Sequence, residues 1–90
     1  MAKMRVFLQV YVESKNLDAV AEALCRIATV TDVYEVTGEA DLIVTVETND
    51  VHEYREILRN EILKVEGIRT TVSSVVTYVH KRDRKMISEA

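Results

Sequence analysis

Several features that decide the class of a protein are scarce or missing in this sequence. It has a single cysteine, two glycines, no proline and no tryptophan. A lone cysteine cannot form an internal disulfide, which is typical of proteins in a reducing compartment. The apolar stretch near the N-terminus is interrupted by Gln9 and has no small-residue cleavage site, so it does not indicate a signal peptide. No apolar run reaches the ~18 residues that a membrane helix requires. We therefore expect a soluble, cytoplasmic protein with no membrane partner.

Length and charge narrow the class further. Ninety residues, 48% of them hydrophobic, suffice for one small domain and are too apolar for a disordered chain. Twelve Lys and Arg residues stand against fifteen Asp and Glu residues, which gives a formal net charge of -3. Proteins that bind nucleic acid usually carry a positive excess, because neutralising phosphates supplies much of their affinity. We therefore expect no direct contact with nucleic acid.

The spacing of apolar residues predicts six elements in the order β-α-β-β-α-β. Apolar residues alternate over four segments, as in strands, and recur at helical spacing over two others. The predicted strands are residues 5–12, 30–37, 41–48 and 68–79, and the two helices begin near residues 16 and 50. Two β-α-β halves predict the ferredoxin-like α+β fold, a four-stranded antiparallel sheet with both helices on one face.

Local signals mark the ends of these elements. Gly38 opens the tight connection between the second and third strands, where a short hairpin needs a positive φ. Asp50, followed by Glu53 three residues later, resembles a capping box at the start of the second helix. Asn16 is the predicted N-cap of the first helix. Gly67 is the residue at which the second helix is predicted to end.

The face of the sheet that the helices leave uncovered is too apolar for a monomer. Alternation places six apolar side chains on it: Phe7, Tyr11, Val33, Ile43, Val75 and Val79. The polar residues predicted beside them are Gln9, Thr45, Ser73 and Thr77. A contiguous apolar patch usually marks an interface, and the long last strand would add an uncovered edge. We predict a sheet-to-sheet dimer, with an octamer or a decamer as larger symmetric assemblies. The alternative is that a β-bulge near Gly67 shifts the alternation and places some of these residues in the core.

No motif in the chain indicates an enzyme, a metal site or a cofactor site. Cys25 lies beside the apolar stripe of the first helix and is predicted to be a buried, inert thiol. His52 and His80 show no metal-ligand spacing with it or with each other. Three carboxylates surround the predicted hairpin, Glu35, Glu39 and Asp41, and the sequence predicts that they are solvated. Phosphate loops, nucleophile elbows and HExxH motifs are all missing. We expect a protein that is not an enzyme and has neither metal nor cofactor.

The C-terminal segment differs from the rest of the chain in charge. Residues 80–85 read His-Lys-Arg-Asp-Arg-Lys, which is locally basic. Such a segment could contact nucleic acid or an acidic partner, although a frayed, solvated terminus is the more usual structure. We therefore divide the chain into a folded domain, residues 1–80, and a basic tail, residues 81–90.

Two segments carry a resemblance to a known family. The run from Asp32 to Leu42, DVYEVTGEADL, resembles the effector-domain signature of the Lrp/AsnC family, in which a Tyr, an apolar residue, a Ser or Thr, a Gly, two variable residues and an Asp form the β2–β3 turn. The run from Gly67 to Ser73, GIRTTVS, is similar to the Gly-Val-x-x-Thr-x-Thr segment that opens the last strand of that family. The order of elements agrees, and the resemblance covers roughly residues 5–79.

The resemblance implies a small-molecule-binding and oligomerisation module, often called the RAM domain, with an amino acid as effector between subunits. Carried over by position, the ligand-binding residues are Thr37, Gly38, Glu39, Ala40, Asp41, Thr71, Ser73 and Ser74. Backbone N–H groups around Gly38 would bind a carboxylate, and the Thr and Ser residues would supply hydroxyls. Asp41 would accept hydrogen bonds from an α-ammonium or from a neighbouring backbone. The alternative for Asp41 is a turn cap with no ligand.

The chain also departs from the family in ways that bear on function. Transcription factors of the family carry an N-terminal helix-turn-helix domain, for which 90 residues leave no room, so we expect a stand-alone effector domain. Ile68 replaces the usual Val, and Ser74 stands where some members have a larger side chain. The resemblance implies a homo-oligomeric amino-acid-binding regulatory module that could also assemble with full-length regulators.

Two alternative functions stay open at this stage. The first is an oligomeric interaction protein that binds no metabolite and assembles with other regulators. The second is a small dimeric α+β enzyme acting in the open face of the sheet. Its only candidate side chains are Tyr11, Tyr34 and Tyr78.

Overall fold

The computed structural model describes residues 3–87 and contains the predicted element order, followed by a short hairpin. The strands are β1 (Met4–Val12), β2 (Val30–Glu35), β3 (Leu42–Thr48), β4 (Ile68–Val75), β5 (Lys81–Arg82) and β6 (Lys85–Met86). The helices are α1 (Leu17–Cys25), preceded by a 3-10 turn (Ser14–Asn16), and α2 (Val51–Ile57), which continues as a π-helical segment (Leu58–Ile62). Within residues 3–87, neither helix has the length and apolar character needed to cross a bilayer.

The main sheet has the strand order β2-β3-β1-β4, and every neighbouring pair is antiparallel. This order follows from the two β-α-β crossovers, which place β1 and β3 in the middle and β2 and β4 at the edges. The predicted ferredoxin-like α+β fold is therefore confirmed. The two central strands carry most of the buried surface, and β4 is an exposed edge as predicted.

The core lies between one face of the sheet and the two helices. Alternate residues of β1 point into it, and β3 supplies a matching row, because residues opposite each other in a ladder share a face. The fully buried strand residues are Val6, Leu8, Val10, Leu42, Val44 and Val46. The helices add Val20, Leu24, Tyr54 and Ile62 to the same cluster. We call this side of the sheet the helix face and the other side the open face.

A β-bulge in β2 corrects the prediction for Val33. Val30 opposes Val46, but Asp32 opposes Thr45, so Thr31 is an extra residue in the ladder. The extra residue reverses the alternation after it. Val33 consequently opposes Val44 on the helix face, where it packs against the core and not on the open face.

A second bulge, in β4, corrects the prediction for Val75 and Ser73. Val12 opposes Ile68 whereas Tyr11 opposes Thr70, which leaves Arg69 as the extra residue. Beyond this bulge the odd-numbered residues of β4 lie on the helix face, as the register of Val75 opposite Val6 shows. The bulge near Gly67 that was considered as the alternative is therefore present, but Val75 is 40% exposed on the helix face and is not part of the core. The bulge places Val72 and Ser74 on the open face.

The chain after β4 differs from the predicted long strand. β4 ends at Val75, so Val79 lies outside the sheet and is half-buried against other parts of the chain. Residues 81–86 form a β-hairpin and not a frayed tail. Its two turn residues, Asp83 and Arg84, have φ values of 53° and 68°, the left-handed conformations that a two-residue hairpin turn requires. Residues 1–2 and 88–90 of the predicted domain and tail lie outside the described part.

The ends of the helices show which local signals were correct. The Asp50 side chain accepts a hydrogen bond from Glu53 N–H at 2.8 Å, so the predicted cap is confirmed. Asn16 stands at the N-cap position of α1, but its side chain makes no capping bond. α1 ends at Cys25, which is exposed and not buried as predicted. His52 is exposed in the first turn of α2.

Candidate functional site

The β2–β3 turn, residues 36–41, is held at both of its ends. Val36 N–H donates to the carbonyl oxygen of Asp41 at 3.1 Å, which closes the turn. Asp41 N–H donates to the carbonyl oxygen of Val10 at 3.1 Å, which attaches the turn to β1. Gly38 has a φ of 133°, a value that side-chain-bearing residues rarely adopt. The turn is therefore a fixed structure at the end of the sheet where β1 finishes.

Four consecutive backbone N–H groups of this turn take no part in the hydrogen bonds that hold it, as far as residues 3–87 show. Among residues 3–87, no backbone carbonyl accepts a hydrogen bond from the N–H groups of residues 37–40. Thr37, Gly38 and Glu39 are exposed, whereas Ala40 is buried. Consecutive backbone N–H groups in a turn form a concave site for anions. The turn thus offers donors that suit a carboxylate.

Asp41 follows these donors in the chain, and its carboxylate has a partner of its own. Its Oδ2 accepts a hydrogen bond from Val12 N–H at 2.9 Å. This contact was one of the two partners predicted for Asp41, a neighbouring backbone. It fixes the side chain against the last residue of β1. Asp41 is half-buried at the edge of the turn.

The structure divides the three predicted hydroxyl residues of β4 between the two faces. Thr71 opposes Val10 and Ser73 opposes Leu8, so both lie on the helix face. Ser74 opposes Phe7 on the open face, toward the other end of the sheet. Thr71 pairs with Val10 from one side of β1, and Asp41 N–H donates to the carbonyl oxygen of Val10 from the other side. Thr71 and the turn therefore flank the same residue of β1. The structure places Thr71 level with the turn but on the other side of β1, about 10 Å away by strand spacing, and Ser74 toward the other end of the sheet.

Ser73 is engaged with the second helix. Its hydroxyl and the hydroxyl of Tyr54 are 2.5 Å apart and share a hydrogen bond. Burial raises the pKa of the Tyr54 phenol, and the bond with Ser73 partly offsets that effect. This pair joins α2 to β4. It gives Ser73 a structural partner that the sequence pattern did not indicate.

Residues that sequence reasoning did not assign to the site lie on the open face at the same end as the turn. Tyr11 opposes Thr70, and Gln9 opposes Val72, so both β4 residues face away from the helices. Tyr34 opposes Ile43 and lies on the same open face, in the edge strand opposite β4. Thr70 and Val72 were missed because the bulge at Arg69, which carries no glycine or proline signal, sets their direction.

Large apolar side chains are exposed along the open face. Phe7 is 41% exposed, Val72 46% and Tyr34 53%. They extend over three of the four strands and therefore form a surface and not a single isolated residue. Tyr11 and Ile43, which were predicted on this face, lie there and are half-buried. Apolar surface of this kind is typical of an interface.

The opposite end of the open face is polar. Arg5 forms an ion pair with Glu47 across β1 and β3. The carboxylate of Asp32 accepts a hydrogen bond from the Thr45 hydroxyl at 2.6 Å and from the Thr31 hydroxyl at 3.1 Å. The Thr45 hydrogen bond is the largest cause that holds the pKa of Asp32 below its ordinary value. Among residues 3–87 there is no group of three or more His, Cys, Asp or Glu that could hold a metal ion.

Comparison with known protein families gives one match that covers most of the chain. The model described as the Lrp/AsnC ligand binding domain matches residues 5–86. The match extends through the β5–β6 hairpin, beyond the boundary predicted at residue 80.

Comparison with curated proteins finds relatives that are longer than this chain. FL11, an HTH-type transcriptional regulator of Pyrococcus furiosus, is 28% identical over 80 residues, which are 89% of this chain and 52% of the relative. The chain spans about half the length of the HTH-type regulators that it matches. A homocitrate synthase of Sulfurisphaera tokodaii is 38% identical over 58 residues, which are 64% of this chain but 12% of the enzyme.

Comparison with solved structures supports the same fold. TTHA0845 of Thermus thermophilus has a TM-score of 0.83 and 28% identity, over 88% of this chain and 99% of that one. The regulator NMB0573 of Neisseria meningitidis, solved as a complex with L-Met, has a TM-score of 0.75 and 18% identity, over 97% of this chain and 55% of that one. At 18% identity the second likeness shows the fold alone.

Proposed function

The chain belongs to the family of Lrp/AsnC ligand-binding domains, and from this premise we propose that it is a homo-oligomeric regulatory module that binds an amino acid. The observation that carries the proposal is the β2–β3 turn, where four consecutive backbone N–H groups have no acceptor among residues 3–87 and are followed in the chain by Asp41. An amino acid carries one negative and one positive group on the same carbon. Such a turn offers a complementary partner to each of them.

The proposed binding geometry assigns each end of the ligand to one part of the turn. The α-carboxylate binds the N–H groups around Gly38, as anions bind to consecutive backbone donors. The α-ammonium binds Asp41, whose Oδ2 accepts from Val12 N–H and whose Oδ1 accepts no hydrogen bond within residues 3–87. We propose that the hydroxyl of Thr37, in the turn, and that of Thr71, across β1 from it, also take part in binding. Ser73 and Ser74 lie farther along β4, and we propose that they contact only a longer effector side chain.

The effector site is proposed to be completed by a second copy of the chain. Thr37, Gly38 and Glu39 are exposed, so the turn by itself encloses no ligand. Small-molecule sites usually bury most of the ligand surface, and the missing wall must come from another subunit. The apolar open face beside the turn supplies a surface on which such a subunit can pack. Dimers of this kind are the proposed unit, and an octamer or a decamer is the proposed larger assembly.

Regulation follows from linkage between ligand and assembly. A ligand that binds only where two subunits meet stabilises the assembled state over the separate one. At a free concentration of about 100 times its Kd, it stabilises that state by about 2.7 kcal/mol. An effector can thus change the population of an assembly without any large change within one subunit.

The proposed partners are other copies of this chain and full-length Lrp/AsnC-type regulators in the cytoplasm. The match with the regulator FL11 covers 89% of the chain, whereas that with the synthase covers 64%. This difference favours a regulatory module over an enzyme as the function of the chain, and the partners are proposed from that function. The proposal assigns no DNA contact to these 90 residues, whose formal net charge is -3.

A titration with two Asp41 variants tests the effector site. We expect at least one of the common amino acids to bind the wild-type protein in isothermal titration and to change the mass seen by light scattering. Asp41→Asn retains an oxygen that accepts from Val12 N–H but removes the negative charge. We therefore expect unchanged stability and at least about tenfold weaker binding, because a hydrogen bond to a charged group is lost.

Asp41→Ala serves as the matched variant for the structural role of this residue. It removes the Val12 hydrogen bond as well as the charge, so the turn loses stability in addition to the ligand. If no amino acid binds the wild-type protein, or if Asp41→Asn binds as tightly as wild type, the proposed site is wrong.

A second candidate function rests on the bond between Asp41 and Val12. If that bond is the whole role of Asp41, the chain is an interaction module that assembles with regulators and binds no metabolite. Under this function only Asp41→Ala changes the protein, and it changes stability or mass in the absence of any amino acid.

A further inference from the structure

The β5–β6 hairpin, residues 81–86, carries a charge opposite to that of the rest of the chain. It holds four cations and one carboxylate, a net charge of +3. Because the whole chain has a formal net charge of -3, the remaining residues carry -6. All four cations are exposed, and none of them forms an ion pair within residues 3–87: Lys81, Arg82, Arg84 and Lys85.

Two of these cations face each other within the hairpin. Arg82 and Lys85 are opposite residues in the ladder between β5 and β6, so their side chains lie on the same face. Like charges in directly opposite positions are destabilising, and an isolated hairpin is only marginally stable in water. A carboxylate placed against this pair would offset the repulsion. The hairpin therefore has the chemistry of a surface that binds an acidic partner.

The hairpin borders the open face at the end of the sheet where β1 begins. Val76 N–H donates to the carbonyl oxygen of Arg5 at 2.9 Å, which holds the chain after β4 beside β1. A cleft of about 530 Å³ lies between the two, and both Phe7 of the open face and Arg82 of the hairpin line it. A second copy that packs on the open face therefore meets the hairpin at the edge of the same interface.

The acidic counterpart of the hairpin lies around the β2–β3 turn. Residues 27–54 contain seven Asp and Glu residues and no Lys or Arg. Three of these carboxylates belong to residues 35–41, namely Glu35, Glu39 and Asp41. Glu35 and Glu39 are exposed and form no ion pair in the part of the chain that the structure describes. The turn thus presents three negative charges, which match the net charge of the hairpin.

The turn and the hairpin lie at opposite ends of the sheet. Asp41 N–H attaches the turn to β1 at Val10, whereas Val76 N–H attaches the chain before the hairpin at Arg5. Five residues at about 3.3 Å each separate these two points by about 17 Å along the strand. The two surfaces therefore do not meet within one chain. In a two-fold dimer with its open faces in contact and its sheets antiparallel, each hairpin meets the turn of the other copy.

We propose that the β5–β6 hairpin of one copy covers the β2–β3 turn of a second copy, with Arg82 and Lys85 against the acidic residues of that turn. This inference rests on the proposed sheet-to-sheet dimer and names the element that completes the effector site. The hairpin forms the missing wall, and its cations add attraction for the α-carboxylate of the bound amino acid. It also sets the orientation of the dimer, because parallel sheets would place like charges together.

Charge-reversal variants test the contact through the dissociation constant of the dimer, measured by light scattering over a concentration series. R82E/K85E makes this face of the hairpin acidic but keeps two like charges opposite each other, so the hairpin itself retains its stability. E35K/E39K makes the turn basic. Each variant replaces attraction by repulsion at both contacts of the dimer, and we expect dimerisation at least about tenfold weaker than in the wild type.

Two further variants control for net charge. K15E/K64E changes the net charge from -3 to -7, as R82E/K85E does, but reverses two exposed lysines outside both surfaces. We expect it to dimerise like the wild type. The combined variant E35K/E39K/R82E/K85E has the wild-type net charge of -3 and again places opposite charges together. We expect its dissociation constant to lie within about threefold of the wild-type value.

Salt provides a second measurement if circular dichroism shows that the combined variant does not fold. At about 1 M NaCl the Debye length is about 3 Å, so wild type and R82E/K85E should differ by less than about threefold.

The results that would overturn the hairpin contact leave the proposed dimer in place. They are a double variant of either surface that dimerises as tightly as wild type, equal weakening by K15E/K64E, a combined variant no tighter than the double variants, or a difference that salt does not reduce. A wild-type protein with the mass of one chain would instead exclude the dimer, and the hairpin contact with it.

Discussion

The two glycines of the chain both have positive φ values but differ in their surroundings. Gly38 has a φ of 133° and open space where a Cβ would be. Gly67 has a φ of 105°, and a Cβ there would lie 2.8 Å from the Cβ of Asn16 and 2.9 Å from Cγ2 of Val20. Gly67 is therefore needed for two reasons, its backbone conformation and the close approach of α1. Gly38 is needed for the first alone.

This difference predicts unequal costs for the same substitution. Gly38→Ala should lower the free energy of unfolding by about 1–2 kcal/mol, the cost of an L-residue in a left-handed conformation. Gly67→Ala should cost about 2–4 kcal/mol, because crowding against α1 adds to that strain. Urea unfolding of both variants at one protein concentration measures the difference. Equal costs would mean that the contact with α1 yields freely and is not a constraint on packing.

At the scale of single residues, the sequence predicted turns and local hydrogen bonds better than it predicted the face of the sheet on which a side chain lies. The Gly38 turn, the Asp50 cap and a backbone partner for Asp41 each depend on neighbours within the segment or on the nearest strand, and each is present. The bond between Ser73 and Tyr54 could not be predicted. It depends on which way β4 faces α2, and the sequence carries no local signal for that direction.

At the scale of elements, the order of strands and helices was predictable and the alternation within the edge strands was not. β1 and β3 alternate without interruption, so their buried rows follow directly from the sequence. β2 and β4 each contain a bulge, at Thr31 and Arg69, and each bulge reverses every side chain that follows it. Neither residue is a glycine or proline. The displaced residues Val33, Ser73 and Val75 are the strand residues whose faces were predicted wrongly.

The capping of the two helices provides a prediction at the same scale. Asp50→Ala should destabilise the protein by about 1 kcal/mol, because Glu53 N–H loses its hydrogen bond with the Asp50 side chain. Asn16→Ala is the control at the equivalent position of α1, where the side chain makes no capping bond. We expect this variant to cost less than about 0.5 kcal/mol, the usual range for surface changes. Chemical unfolding measures both, and a larger cost for Asn16→Ala would show that α1 depends on a contact other than its cap.

At the scale of the whole molecule, the sheet lacks a second covering layer. The molecule measures 44 × 28 × 19 Å, and its least dimension corresponds to one sheet and one helix layer of about 10 Å each. It exposes 6469 Å², whereas a compact monomer of this length is expected to expose roughly 5,300 Å². Part of the open face was predictable, because Phe7 and Ile43 lie on unbulged strands. The cleft beside it was not, since its position depends on the path of the chain after β4.

Two residues with the same exposure on opposite faces test whether the open face is the dimer interface. Phe7 is 41% exposed on the open face, and Val75 is 40% exposed on the helix face. In a two-fold symmetric dimer one substitution removes two side chains, so Phe7→Ser should lose about 2 kcal/mol in each copy and weaken dimerisation by about 10³-fold. Val75→Ser removes a similarly exposed apolar group and should leave the mass unchanged. Light scattering at micromolar concentration, with circular dichroism to confirm folding, should show a single chain for Phe7→Ser and an oligomer for Val75→Ser. A wild-type protein with the mass of one chain would exclude the sheet-to-sheet dimer, because the open face would then be stable in water without a partner.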